Sequence, residues 1–144
     1  MADEQQTSLY RKSQIDTASP GKLIVMLYEG AIRFMNEAKD HLGEDEVEKA
    51  NNRLLRAQDI VSELMMSLNM KEGGEIASSL YRLYDYLKWR LVEANMSKDT
   101  APIDEAIRIM SSLKEAWEGA VKNVLMDKNK PIELSKTNKL NLMS

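Results

Sequence analysis

The sequence predicts an all-α protein: an antiparallel, up-down-up-down four-helix bundle with an N-terminal arm before it and a flexible C-terminal tail after it. Three observations carry that prediction. The 144 residues are rich in Ala, Leu, Met, Glu and Lys but only 6% aromatic, with 6 Gly and 3 Pro, a balance that favours helix over strand. Apolar residues recur at alternating steps of three and four, the spacing that keeps one stripe of a helix facing a neighbour. The helix breakers leave four segments of about 20 to 25 residues joined by short links, which forces consecutive helices to run antiparallel.

Residues 1–18 are polar, with Leu9, Tyr10 and Ile15 scattered among them, and read as an arm. Ser19-Pro20 is the first firm helix start: Ser19 suits the cap, and the N–H that Pro20 lacks needs no partner in a first turn. Helix 1 is expected from Pro20 to about His41, with Gly43 as its left-handed stop. Helix 2 is expected to start near Glu44 or Asp45, where acidic side chains meet the positive end of the helix dipole. Its seam is Val47, Ala50, Leu54, Ala57, Val61, Leu64 and Leu68, and Asp45 with Lys49 makes an outer i,i+4 pair. Gly73-Gly74 ends this segment or links it to the next. Helix 3 is expected from about Glu75 to Asn95 on Ile76, Leu80, Leu83, Leu87 and Ala94. Helix 4 follows Asp99-Thr100 with Pro102 in its first turn. Its seam is Ile103, Ala106, Met110, Leu113, Trp117, Ala120 and Val124, with Glu118 and Lys122 as an outer pair. The links fall near 42–44, 70–74 and 96–100, and the bundle spans 19–126. Residues 127–144 carry Pro131, Leu134, Leu140 and Leu142 in a polar background. They read as a flexible tail, or as a segment that docks on the bundle or on a neighbouring copy.

Composition also excludes functions. A net charge of −3 leaves no large basic field for a nucleic-acid backbone. There is no Cys, hence no disulfide framework or thiolate chemistry. The longest apolar run, Leu23 to Tyr28, is far too short to insert in a membrane. The acidic, polar opening Met1 to Gln6 is unlike a secretory signal, so a cytoplasmic location is expected. A di-iron site in a bundle needs two Glu-x-x-His pairs, but His41 is the one His and Glu37 stands four positions before it, not three. His41 fits better as a group facing the negative end of a helix dipole. No zinc spacing, phosphate loop or nucleophile elbow is present. No cofactor, no metal and no enzymatic activity are therefore expected.

What remains is a surplus of apolar side chains beyond the seams. Helix 1 opens with Leu23, Ile24, Val25, Met26, Leu27 and Tyr28, which two neighbouring helices cannot fully cover. Helix 2 ends in Met65, Met66, Leu68 and Met70, and helix 3 adds Tyr81, Tyr84, Tyr86 and Trp89 to its seam. Adaptable Met beside large, polar-tipped aromatics suits a groove for another amphipathic segment. Tyr84, Met65 and Phe34 lean toward the core. Met66, Met70, Tyr28 and Trp89 stand between core and partner contact.

Four blocks carry a family resemblance. DTASPGKLIVMLYEGAIRFM (16–35), AQDIVSELMMSLN (57–69), LYDYLKWRLVEAN (83–95) and Glu115-Ala-Trp117 resemble, in order and with matching gaps, the flagellin-specific export chaperones (the FliS family). The resemblance implies a cytoplasmic helical bundle that binds the C-terminal segment of flagellin, prevents its premature polymerisation and keeps it competent for flagellar type III secretion. It also implies that Tyr10, with Leu9 and Ile15, lies over part of the groove. The flagellin-binding set expected on these grounds is Leu9, Tyr10, Ile15, Leu23, Met26, Leu27, Tyr28, Met66, Met70, Tyr81, Tyr84 and Trp89. Other flagellar export or regulatory proteins are further expected partners. Trp89 departs from the family pattern, which often has Arg there. The alternative is a self-associating helical adaptor that spends the same surface on a weak homodimer.

Overall fold

The structure is a computed structural model that describes residues 20–126, with side chains to residue 123. Leu9, Tyr10 and Ile15, the arm expected at 1–18 and the tail expected at 127–144 lie outside the described residues. Four helices follow one another: α1 (Pro20–Gly43), α2 (Val47–Ser67), α3 (Met70–Ser97) and α4 (Ala101–Met126). α1 packs on α2 and α4, and α3 packs on the same two, so α1 and α3 stand diagonally across the bundle. Cross-helix pairs set the direction of each neighbour. Lys39 near the end of α1 meets Asp104 at the start of α4 at 2.5 Å, and Arg53 of α2 meets Glu37 of α1 at 3.2 Å. The helices therefore alternate up and down. One end of the bundle holds the start of α1, the α2–α3 link and the end of α4.

The α1–α2 turn closes by a different residue from the one expected. Gly43 remains in the helix, and Asp45 takes the left-handed conformation at φ 59°. The Glu46 N–H then donates to the His41 carbonyl at 2.8 Å, and the Asp45 N–H to that of Leu42 at 3.3 Å. This pattern satisfies carbonyls that the helix end leaves open. An Asp tolerates that conformation better than most side chains. Glu46 bridges the turn, accepting from His41 Nδ1 at 3.1 Å and pairing with Lys49 at 2.8 Å. Its hydrogen bond to Lys49 foremost, then that to His41, holds its carboxyl down at about 2. Lys49 is thus engaged by Glu46 rather than by Asp45.

The second link is shorter than expected. Leu68 and Asn69 join α2 to α3, and the Asn69 side chain caps the new helix by accepting from the Glu72 N–H at 3.0 Å. Gly73-Gly74 therefore lies inside α3 rather than between helices. Gly74 breaks the helix locally at φ 55°, ψ −131°, a conformation open to glycine because it has no Cβ. At the last turn Lys98 takes the left-handed position, and Asp99 Oδ1 accepts from the Ala101 N–H at 3.0 Å to start α4.

The core is one apolar column. From α2 it takes Ala50, Leu54, Ala57, Val61, Leu64 and Leu68, the predicted seam without Val47, which is 43% exposed. α4 contributes Ile103, Ala106, Met110 and Trp117, while Leu113 and Ala120 are half-buried. The α3 stripe departs from expectation. Ala77, Tyr84, Leu87, Leu91 and Ala94 are buried, whereas Leu80 and Leu83 are half-buried and Ile76 is 52% exposed. Of the outer pair expected on α4, Glu118 is held by Lys114 at 3.3 Å, one turn before it. Phe34 and Met65 pack at the margin of the core, with the Arg33 guanidinium 5.2 Å from the Phe34 ring centre.

Tyr28 and Tyr84 are fully buried and meet through their hydroxyls across the bundle, rings tilted at 47° with centroids 6.5 Å apart. Each hydroxyl thus has a partner where water is excluded, which a buried polar group requires. Burial pushes the Tyr28 hydroxyl up to about 12, with hydrogen bonding to Tyr84 and Trp117 opposing. Burial raises Tyr84 too, and the neighbouring Tyr28 adds to it. The folded state therefore keeps protons that the unfolded chain releases above about pH 10. The expected result is full stability below pH 10 and a loss of about 2–3 kcal/mol from Tyr28 alone as pH rises from 10 through 12, to which Tyr84 adds. Urea unfolding across pH 9–12 measures it, and the double variant Tyr28→Phe/Tyr84→Phe should flatten the slope. An equally steep loss in that variant would place the effect elsewhere.

Candidate partner-binding surface

Once Tyr84 and Leu91 point inward, the phase of α3 determines what points outward. Side chains advance by about 100° per residue around a helix. Tyr81, Trp89 and Met96 consequently come to the outer face, 44%, 60% and 77% exposed. On α2 the seam through Ala57 and Val61 likewise puts Leu55 (48%) and Met66 (73%) outside. Met70 and Ile76 at the start of α3 are also exposed. Because α2 and α3 are antiparallel neighbours, Leu55, Met66, Tyr81, Trp89 and Met96 form one discontinuous apolar face, with Met70 at its end, while Ile76 stands about 140° round α3 from Trp89 and off that face. Met66, Met70, Ile76 and Tyr81 lie at the end of the bundle that holds the α2–α3 link, Trp89 near the middle, and Leu55 and Met96 toward the other end.

At that far end the face deepens into an open groove of about 440 Å³, its apolar walls Val47, Leu55, Val92 and Met96 interleaved with Asn51, Gln58 and Asn95 and flanked by Glu48 and Lys98. The Asn95 amide donates to Asn51 across the α2–α3 seam. This polar tie sits beneath the apolar walls and fixes the two helices in register. The opposite edge of α3 is closed differently. Tyr86 donates to Glu105 of α4, and Arg90 pairs with Glu93 at 2.7 Å and with Glu105 at 3.4 Å. The hydrogen bond to Glu105 raises the Tyr86 hydroxyl. Charged pairs thus tie the α3–α4 edge, while the α2–α3 edge mixes exposed apolar side chains with polar and charged ones.

The residues singled out from the sequence separate into groups. Met66, Met70, Tyr81 and Trp89 are exposed on the α2–α3 face. Tyr28 and Tyr84 are corrections: both are 0% exposed, so they build the core and offer nothing to a partner. Leu23, Met26 and Leu27 are half-buried on α1. Since α1 is diagonal to α3, these three do not join the face that carries Trp89. The single groove expected from the sequence is thus two separate surfaces. Val47, Leu55, Ile76 and Met96 were missed. Leu55 is legible, because it falls on the far side of the helix from Ala57, whereas the spacing places Ile76 in the core seam.

Among the described residues no cluster of three or more His, Cys, Asp or Glu could hold a metal ion. No described helix is long and apolar enough to cross a membrane. The candidate chemistry is that of a surface that binds by apolar contact.

Residues 1–124 match the family model described as "Flagellar protein FliS". The chain belongs to the FliS family. It is 33% identical over 129 residues to the flagellar secretion chaperone FliS of Bacillus subtilis (strain 168), covering 90% of this chain and 96% of that one. It is 36% identical over 108 residues to the FliS of Salmonella typhimurium (strain LT2), covering 74% and 80%. A solved structure titled as a flagellar chaperone from bacteria superposes with a TM-score of 0.69, over 84% of this chain and 98% of that one, at 23% identity. That last likeness speaks for the all-α bundle alone. FliS is a family of chaperones, not of enzymes, which agrees with the expectation drawn from the missing motifs. The family match takes in all four blocks that carry the sequence resemblance and ends at Val124, ahead of the 127–144 segment.

Proposed function

We propose that this chain is a cytoplasmic export chaperone that holds the C-terminal segment of flagellin along its α2–α3 face. In doing so it prevents premature polymerisation and keeps the subunit competent for flagellar type III secretion. The observation that supports this reading most is the set of large apolar side chains left exposed on adjoining faces of α2 and α3, namely Leu55, Met66, Tyr81, Trp89 and Met96. Trp, Tyr and Met are the side chains that anchor protein interfaces, and here they sit outside a core that is already complete. Family membership supports an export substrate as the partner.

The physics is coupled folding. A client segment that is disordered when free is ordered as it binds, which costs free energy that a long apolar contact must exceed. Neither nucleotide nor metal enters such a step. The arm around Leu9, Tyr10 and Ile15 belongs to the same proposal as a cover for the half-buried opening of α1, at Leu23, Met26 and Leu27.

The test is titration of the full chain with a flagellin C-terminal peptide. Binding at about micromolar Kd or tighter, 1:1 and with a gain in helicity by circular dichroism, is the expected result. Dimerisation that depends on protein concentration and ignores the peptide would instead favour the self-associating adaptor.

A further inference from the structure

We propose that residues 127–144 of this chain lie along the α2–α3 face in the absence of client and leave it when client binds. This inference rests on the reading of that face as the client site, and adds an intramolecular competitor to it. Position comes first. α4 ends at Met126, at the end of the bundle where Met66, Met70, Ile76 and Tyr81 are exposed. α3 is a direct neighbour of α4, so the chain leaving α4 crosses one helix to reach the face. The N-terminal arm leaves from α1, a direct neighbour of α2, at the same end of the bundle, so position alone does not choose between the two segments and the choice falls to chemistry.

Reach comes second. Eighteen residues follow Met126, and an extended chain covers up to about 3.3 Å per residue, so about 60 Å is available. The face from Met70 to Met96 rises about 39 Å along α3 at 1.5 Å per residue. The segment can span it with residues to spare.

Chemistry comes third. The segment holds Ile132 with Leu134 and Leu140 with Leu142, two i,i+2 pairs that point to the same side of an extended chain. Pro131 opposes a continuous helix through this stretch. Lys128, Lys130, Lys136 and Lys139 outnumber Asp127 and Glu133, although the whole chain is net −3. A segment of positive sign therefore hangs from a bundle of negative sign. Asp59, Glu63, Glu72 and Asp85 are exposed around the face, with Arg56, Lys71 and Arg82 as exposed cations and Lys88 half-buried among them. Tethering supplies an effective concentration on the order of millimolar. A contact too weak to be seen between separate molecules thus occupies the face much of the time. Client affinity falls by the fraction of molecules whose face is free.

The experiment uses the full chain and a triple substitution in the segment, Leu134→Asp, Leu140→Asp and Leu142→Asp, which leaves the bundle's residues untouched. Acrylamide quenching reads Trp89, which is 60% exposed, because Trp117 is only 6% exposed. With the face covered half the time or more, the triple variant shows quenching and flagellin-peptide affinity both raised about twofold or more. Unchanged quenching with peptide bound equally by both forms overturns this inference and leaves the client reading intact. Raised quenching with no peptide binding to either form keeps the segment on the face and removes the flagellin reading. Protection of Trp89 that disappears on dilution would assign the cover to a second copy and overturn the inference.

Discussion

Tyr84→Ala should lower the free energy of unfolding by about 3–5 kcal/mol, the range for emptying a buried aromatic site. The side chain is 0% exposed, touches Tyr28 through its hydroxyl and belongs to the continuous core. Truncation loses its apolar contacts, opens a cavity and deprives the Tyr28 hydroxyl of that partner. The loss is a large fraction of a small domain's stability. Denaturant titration followed by far-ultraviolet circular dichroism measures it. The milder Tyr84→Phe separates the hydroxyl from the ring and is expected to cost about 1–3 kcal/mol, because a buried donor loses its partner. Tyr28→Phe/Tyr84→Phe should cost less than the two single changes added together, since removing both hydroxyls leaves nothing unsatisfied. Strict additivity in that cycle would show that the hydroxyls do not support each other.

Trp89→Asp combined with Met66→Asp should produce the converse: client binding lost, stability kept. Both side chains are mostly exposed, at 60% and 73%, and surface changes of this kind usually stay within about 0.5 kcal/mol. Anchors at the centre of an interface cost about 2 kcal/mol or more when removed, roughly thirtyfold in Kd. Calorimetric titration with the flagellin peptide and thermal unfolding of the same samples read the two quantities side by side. The client site lies elsewhere if the affinity survives while the unfolding midpoint is unchanged. The surface at Leu23, Met26 and Leu27 would then be next to substitute. A fallen midpoint would mean that Trp89 and Met66 support the fold and would void the assignment of the face.

Much of the fold was legible. The α2 seam from Ala50 to Leu68 emerged with every member buried, because one apolar stripe on that helix has no rival. Val47 failed as the first residue of α2, at the end of the column where no neighbour covers it. α3 defeated periodicity for a different reason. It carries two overlapping stripes, one through Ile76, Leu80 and Leu83 and one through Ala77, Tyr84 and Leu91, with Leu87 in both. Spacing alone does not choose between them. The break at Gly74 separates the first turn of α3 from the rest, so the pattern cannot be carried across from Met70. The turns failed locally. Gly43 was the better residue for a left-handed stop, yet the helix runs through it and Asp45 takes that conformation.

The sequence by itself determined that there are four helices, their order and their alternating direction. Each of these follows from local propensity, breaker spacing and residue inventory. Only the tertiary structure decided how far each helix turns about its own axis. That rotation sends Tyr28 and Tyr84 inward as a bonded pair and turns Tyr81, Trp89 and Met96 outward beside α2. A helix's own residues leave its phase open whenever more than one stripe is apolar. The contacts with its two neighbours settle it, and in this protein that choice separates core from candidate client surface.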